Sequence, residues 1–338
     1  MSSSDASADT AEAAARAQGG SDGERRAPVG IAIVGPTASG KTALAIEVAQ
    51  RLRGEVVSMD SRQVYRGMDI GTAKATAAEQ AAAPHHGLDL VGPTERFSAG
   101  RFAEYAHARI EAIRARGAVP VLAGGTGFFL RALTEPLFEE PPLDAGRRRA
   151  LERALRPLDD GALLEWVRAI DPRTAASLEA GGGRQRMLRA LEVALLTGRT
   201  IGWWHRHAPP VQPPVPLMVF VLEIDRGALD RRIDARVHDM VEAGLVDEVR
   251  ALLEAGVPPD APGMSATGYR EIVDYLRGDV SLEEAVARIQ RATRQYSRRQ
   301  LTWFRNQLGP EVVRLDGARP AGDLAAAIVS AWEGGGQG

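Results

Sequence analysis

The sequence predicts an α/β protein: a P-loop parallel-sheet core covered by helices on both faces and interrupted by an all-helical insertion domain. Three observations predict it. Short apolar, β-branched runs alternate with amphipathic helical stretches between residues 28 and 136, the pattern of parallel strands joined by crossover helices. The octet at 35–42, Gly-Pro-Thr-Ala-Ser-Gly-Lys-Thr, fits the phosphate-cradling loop G-x-x-x-x-G-K-[ST] at every fixed position. Strand signals then vanish between about 145 and 198 and return at Leu217–Ile224, so a helical segment interrupts the sheet.

The elements follow in order. Val29–Val34 is the first strand, and the loop leads into an amphipathic helix over Thr42–Arg53 with Leu44, Ile46, Val48, Ala49 and Leu52 on its apolar side. Glu55–Met59 is a second strand ending at Asp60, Ala99–Arg116 a helix, and Ala118–Ala123 a buried strand running into Gly124-Gly125-Thr126. Three strand ends thus converge on one crevice, where parallel sheets bind ligands. Pro141-Pro142 marks a linker into short helices, with Asp171-Pro172 as a helix start and Gly198 as a C-cap after Met187–Leu196. The Pro-rich run Pro209–Pro216 closes the insertion. Beyond the strand at 217–224 come helices over Ala228–Glu242, Leu245–Ala255, Tyr269–Leu276 and Leu282–Asn306, then a short strand at Val312–Leu315. The expected organisation is a disordered tail at 1–27, the core at 28–136 and 207–316, the insertion at 137–206, and a C-terminal helix with a frayed end at 317–338. The tail is expected to stay disordered because its Ala, Ser, Asp and Gly cannot bury enough apolar surface to offset ordering entropy.

Composition narrows the chemistry. At 338 residues and 44% hydrophobic, the chain can bury a large core, and with aromatics at 5% that core is aliphatic. The absence of cysteine excludes disulfides, thiolate metal sites and Cys nucleophiles and suits a reducing compartment. With no apolar run of spanning length and no signal-like leader, no membrane is expected and a cytoplasmic location is. A net charge of −2 selects no partner by itself.

Local features select more. In the phosphate loop, Gly35 and Gly40 let backbone N–H groups close around phosphate oxygens, Lys41 adds a cation, and Thr42 offers its hydroxyl to Mg²⁺. The loop alone does not say which phosphate ester binds. Asp60 at a strand end can hold a metal, act as a general base or cap a turn; Ser61, Arg62 and Gln63 after it favour a substrate edge. Thr126 either meets a ligand or caps the next helix. His85-His86, without a third ligand nearby, reads as turn or packing histidines rather than zinc. Arg232 and Arg236, four apart on one helix, either reach a departing diphosphate or form a solvated rim. Arg288, Arg291, Arg294, Arg298 and Arg305 lie on one face of the last long helix, and Arg147–Arg149, Arg153, Arg184, Arg186 and Arg189 cluster in the insertion. Two basic clusters flanking a phosphate crevice point to a polyanionic substrate.

Together these segments resemble the tRNA dimethylallyltransferases, enzymes that prenylate the adenosine just 3′ of the anticodon. The resemblance runs from Val29 to Leu315 and is carried by GPTASGKT (35–42), DSRQVYRGMDIGTAK (60–74), PHHGLDL (84–90), FSAGRF (97–102), GGTGFFLRAL (124–133), RQRMLRALEV (184–193), TGYRE (267–271) and RRQLTWFR (298–305). It implies that Gly35, Pro36, Thr37, Ala38, Ser39, Gly40, Lys41 and Thr42 hold the diphosphate of dimethylallyl diphosphate rather than ATP. It implies Asp60 as general base for the adenine N6 amine and Thr126 at the reaction channel. It further implies that the tRNA anticodon stem-loop meets Asp60, Ser61, Arg62 and Gln63, the insertion residues Arg148, Gln185, Arg186, Met187, Leu188 and Arg189, and the run Ser265, Ala266, Thr267, Gly268, Tyr269 and Arg270. Mg²⁺ is the expected cofactor and a monomer the expected state. Gly181-Gly182-Gly183 departs from the family's usual polar turn before Arg184. The rival readings are an ATP-dependent small-molecule kinase, which shares the loop but leaves the basic clusters idle, a non-catalytic RNA-binding protein, and a prenyltransferase of free adenine nucleotides.

Overall fold

The computed structural model describes residues 27–135, 143–179, 183–207 and 212–335. The expected tail at 1–27 apart from Ala27, the Pro141-Pro142 linker, parts of the Gly181–Gly183 and Pro209–Pro216 runs, and the end of the expected frayed terminus at 336–338 lie outside them.

A six-stranded parallel sheet holds the order β3-β2-β4-β1-β5-β6. Its strands are β1 (Gly30–Val34), β2 (Glu55–Ser58), β3 (His85–His86), β4 (Pro120–Gly124), β5 (Leu217–Glu223) and β6 (Val313–Asp316). The two inner strands β1 and β4 are buried throughout, as continuous apolar runs covered on both faces must be. The period of two splits β1 between the faces. Ile31 and Ile33 pack on α1 (Lys41–Leu52) and α14 (Ala321–Gly335) through Leu44, Val48, Leu324 and Ile328. Ala32 and Val34 pack on α3 (Ala99–Ala115) and α4 (Gly127–Thr134) through Phe102, Ile110, Phe129 and Leu130.

Two short elements stand where no element was expected, α2 (Ala77–Ala82) and β3, and α4 is the helix that follows Thr126. Thr76 opens α2 with a reciprocal capping box to Glu79. His85-His86 is an edge strand rather than a turn, paired to Val56 and Val57, and Glu55 joins His86 at 2.6 Å. The insertion is helical as expected: α5 (Ala145–Leu155), α6 (Asp160–Ile170), α7 (Pro172–Glu179), α8 (Arg184–Thr197) and α9 (Ile201–His207). It has its own core of Leu155, Leu163, Val167, Leu178, Met187 and Leu191. Gly198 ends α8 at φ 72°.

Beyond the carboxyl ends of the strands lies a second helical layer: α10 (Arg226–Glu242), α11 (Leu245–Glu254), α12 (Tyr269–Leu276) and α13 (Leu282–Gln307). It shares a core with the 60–91 segment through Val64, Met68, Val237, Leu245, Tyr269 and Ile289. Two anchors shape that segment. The Glu248 carboxylate accepts the backbone N–H groups of Asp69, Ile70 and Gly71. The Lys74 ammonium, 3% exposed, meets Asp89 at 2.6 Å and also pairs with Asp69, so its charge is neutralised inside the fold.

A candidate active site at the ends of three strands

The phosphate loop follows β1. Gly40 adopts φ 85°, a left-handed conformation that glycine takes without steric cost. Lys41 Nζ donates to the Pro36 carbonyl at 3.0 Å. Burial lowers its pKa to about 8, Asp60 opposing the shift and Arg236 adding to it. The Ser39 hydroxyl, 4% exposed, has no hydrogen-bond partner in the protein. A buried hydroxyl in a loop of converging N–H groups is what an anion-binding cradle leaves open.

Asp60 follows β2. Its Oδ1 accepts the Arg62 N–H at 2.8 Å, closing a turn that holds the carboxylate. Thr126 follows β4 at the N-cap position of α4 yet makes no capping bond. Its Oγ1 instead accepts the Ser61 N–H at 3.1 Å, so the threonine ties two strand ends together.

A cavity of about 450 Å³ joins these groups. The loop residues Thr37, Ala38 and Lys41, the strand ends Asp60, Ser61, Arg62 and Thr126, and Arg236 line it, as do Ser265, Ala266, Thr267 and Gly268. Among the described lining residues Asp60 is the one acid, facing Lys41, Arg62, Arg236 and Arg299. Ile233, Val237, Met240 and Ile289 supply an apolar wall. A second cavity, about 960 Å³, opens against Ser39, Gly40 and Thr42, and it shares Ala38, Lys41, Arg236 and Met240 with the first. The phosphate loop thus stands at the junction of two openings.

Of the α10 arginines, Arg236 turns inward, its pKa lowered by burial against the pull of Asp60, whereas Arg232 is exposed and lines neither cavity. Other expected site residues lie elsewhere. Gln63 is spent within the fold: Ser58 donates to its carboxamide oxygen at 2.8 Å and its nitrogen donates to the Ala73 carbonyl at 2.9 Å. The Met187 side chain belongs to the insertion core. Tyr269 is fully buried and donates to Glu248 at 2.6 Å, its pKa pushed up by burial. Gln185, Arg186 and Arg270 are exposed. Gln185, Leu188, Arg148 and Arg189 flank a small groove between α5 and α8, where both arginines pair with Glu192.

The arginine stripe of α13 is not the free cationic face its spacing suggested. Arg288 and Arg291 pair with Glu284, Arg294 with Asp234, and Arg298 with Asp230. The residues of α13 that do reach the main cavity are Ile289, Thr293, Tyr296, Arg299 and Gln300. Burial and the nearby Asp60 charge push the Tyr296 hydroxyl up to about 12. Phe128, half exposed, stands at the same cavity with its ring 6.3 Å from that of Trp303. The recurrence of polar residues at 296, 299 and 300 was the available signal for this second face of the helix.

For Mg²⁺ the donor set fits. No cluster of three His, Asp or Glu exists among the described residues, but Thr42 lines the second cavity beside Lys41. Mg²⁺ commonly takes few protein ligands and completes its shell with phosphate oxygens and water.

The IPP transferase family model matches residues 63–307. The tRNA dimethylallyltransferase of Roseiflexus sp. (strain RS-1) is 48% identical over 308 residues, covering 89% of this chain and 98% of that protein. The protein of the same name from Anaeromyxobacter sp. (strain K) is 47% identical, covering 82% of this chain and 90% of the relative. The full-length tRNA isopentenylpyrophosphate transferase of Bacillus halodurans superposes with a TM-score of 0.65 at 38% identity, over 91% of this chain and 97% of that one. A eukaryotic dimethylallyltransferase captured acting on tRNA superposes with a TM-score of 0.71 at 27% identity, over 85% of this chain and 73% of that one. A family model that matches more than half of the chain, and a relative 48% identical over 89% of it, show that the chain belongs to the IPP transferase family.

Proposed function

We propose that the protein transfers the dimethylallyl group of dimethylallyl diphosphate to the N6 amine of the adenosine 3′-adjacent to the anticodon in tRNA, releasing diphosphate. The observation that carries this reading is one cavity that brings together the cationic phosphate loop, an apolar wall and, as the one carboxylate among its described lining residues, Asp60. The adenine amine is a weak nucleophile, its lone pair delocalised into the ring. The electrophile must therefore do much of the work, by loosening its C–O bond as negative charge gathers on the departing diphosphate.

Lys41, Arg236 and the loop N–H groups stand where that charge develops. When bound, Mg²⁺ held by the Thr42 hydroxyl neutralises part of the same charge. Ile233, Val237, Met240 and Ile289 line the space for the prenyl tail and keep out water that would compete for the allylic carbon. As the C–N bond forms and the C–O bond breaks, Asp60 takes the N6 proton, a step worth typically about 10²–10⁴-fold. An adenine stacked in a loop cannot enter such a cavity, so the base is flipped out at a cost of a few kcal/mol. The insertion, with exposed Gln185 and Arg186, is the element placed to hold the rest of the stem-loop.

The deciding assay incubates the protein with unmodified tRNA, labelled dimethylallyl diphosphate and Mg²⁺, beside a reaction with ATP and a nucleoside. Label entering tRNA supports the proposal. γ-Phosphate transfer, or label entering free nucleotide alone, overturns it.

A further inference from the structure

The transfer chemistry needs three loops at a fixed spacing: the phosphate loop after β1, Asp60 after β2 and Thr126 after β4. Side chains make the joints. The Ser61 N–H to Thr126 bond closes the β2–β4 joint. The β1–β4 joint is made by Gln300, which reaches in from α13 and is 6% exposed. Its carboxamide oxygen accepts the Thr37 N–H at 2.9 Å, and its nitrogen donates to the Gly125 carbonyl at 2.9 Å. The seat is tight: a Cβ on Gly125 would lie 2.2 Å from Gln300 Nε2, so a side chain there would push the amide off its seat. Both ends of the amide are engaged, and Gln300 has no proton to give or take in the reaction.

We propose that Gln300 is a positioning residue, setting the distance from the phosphate loop with Lys41 to the Thr126–Asp60 side of the cavity. This rests on the transfer reaction proposed above. In this role Gln300 governs the bond-forming step rather than the affinity for either substrate. The demand on the side chain is specific: an acceptor for Thr37 and a donor for Gly125 on one planar tip at that reach. Leucine supplies neither. A glutamate carboxylate keeps the acceptor but sets negative charge against the Gly125 carbonyl; once protonated, it offers a donor again.

The test is single-turnover transfer by the full chain, with unmodified tRNA and labelled dimethylallyl diphosphate. Gln300→Leu is expected to slow the step by about 10²-fold, the cost of misplacing a group by roughly 1 Å, with the tRNA Kd and the diphosphate KM within about threefold of the parent. Gln300→Glu is expected to regain rate relative to the parent as pH falls from about 8.5 to about 6, because burial raises a carboxyl pKa into reach of that range. Melting curves on the same samples measure the folded fraction, and the Glu profile decides the matter should the Leu chain fail to fold. A Gln300→Leu chain that transfers at the parental rate overturns the positioning role, as does a Gln300→Glu ratio that stays flat with pH. The unsubstituted chain is the separate control: if it transfers no label to tRNA, the reaction itself is wrong, whereas parental transfer beside an unaffected variant removes only Gln300.

Discussion

Asp60 commits one carboxylate oxygen to the Arg62 N–H at 2.8 Å, which fixes its plane and leaves the other oxygen for a proton. Asp60→Asn keeps the acceptor for that N–H and removes only the base. Single-turnover transfer is therefore expected to fall by about 10²–10⁴-fold while tRNA affinity by filter binding holds; an undiminished rate would take Asp60 out of the chemistry. Lys41 gives a pH dependence whose sign is set by burial. Its pKa of about 8 leaves the ammonium neutral above that pH in the free protein, whereas bound diphosphate stabilises the charged form. Affinity for dimethylallyl diphosphate is thus expected to be level below about pH 7 and to weaken as pH rises through 8, with proton uptake on binding near pH 8. Calorimetry in two buffers of different ionisation enthalpy reads that uptake, and proton release would contradict the assignment. Lys41 was legible in the sequence from the phosphate-loop motif and Asp60 from its place at a strand end. The role of Gln300 was not, because its partners Thr37 and Gly125 lie 263 and 175 positions away in the chain, and helical spacing puts it on one face with Tyr296 and Arg299 without naming those partners.

At the scale of elements, local signals read well and non-local ones did not. The strands β1 and β4 announced themselves as apolar runs, and Gly198 closes its helix where expected. Strand order could not be read, since parallel neighbours are joined through crossovers whose length does not name the partner. The α13 stripe misled for the same reason: the carboxylates that neutralise Arg294 and Arg298 sit on α10, at Asp234 and Asp230. Glu248 is the anchor that positions the 60–74 run as an element. One side chain on α11 accepts three consecutive backbone N–H groups and the Tyr269 hydroxyl. Glu248→Ala strands these donors and is expected to cost about 3 kcal/mol. Hydrogen exchange at Asp69–Gly71 should rise with the drop in melting temperature; unaltered exchange there would show that the loop holds its shape by packing alone.

At the scale of the whole molecule, a net charge of −2 means that binding to RNA depends on where cations stand rather than on their sum. The internal ion pairs sort the arginines into two groups. Arg288, Arg291, Arg294 and Arg298 hold carboxylates of the protein itself. Arg299 lines the main cavity, its guanidinium 5.8 Å from the Tyr296 ring centre, with no carboxylate partner among the described residues. Only a cation that trades condensed counterions for a phosphate contributes to the salt slope, by about 0.9 per contact on a duplex and about 0.7 on a single strand. The logarithm of tRNA affinity is therefore expected to fall linearly with the logarithm of salt, and Arg299→Ala to lower that slope by nearly one unit. Arg294→Ala, which frees Asp234 instead of removing a phosphate contact, should leave the slope in place and act through stability. A lowered slope for Arg294→Ala beside an unchanged one for Arg299→Ala would mean that the α13 pairs open on RNA binding and that the stripe, rather than the cavity rim, meets the backbone.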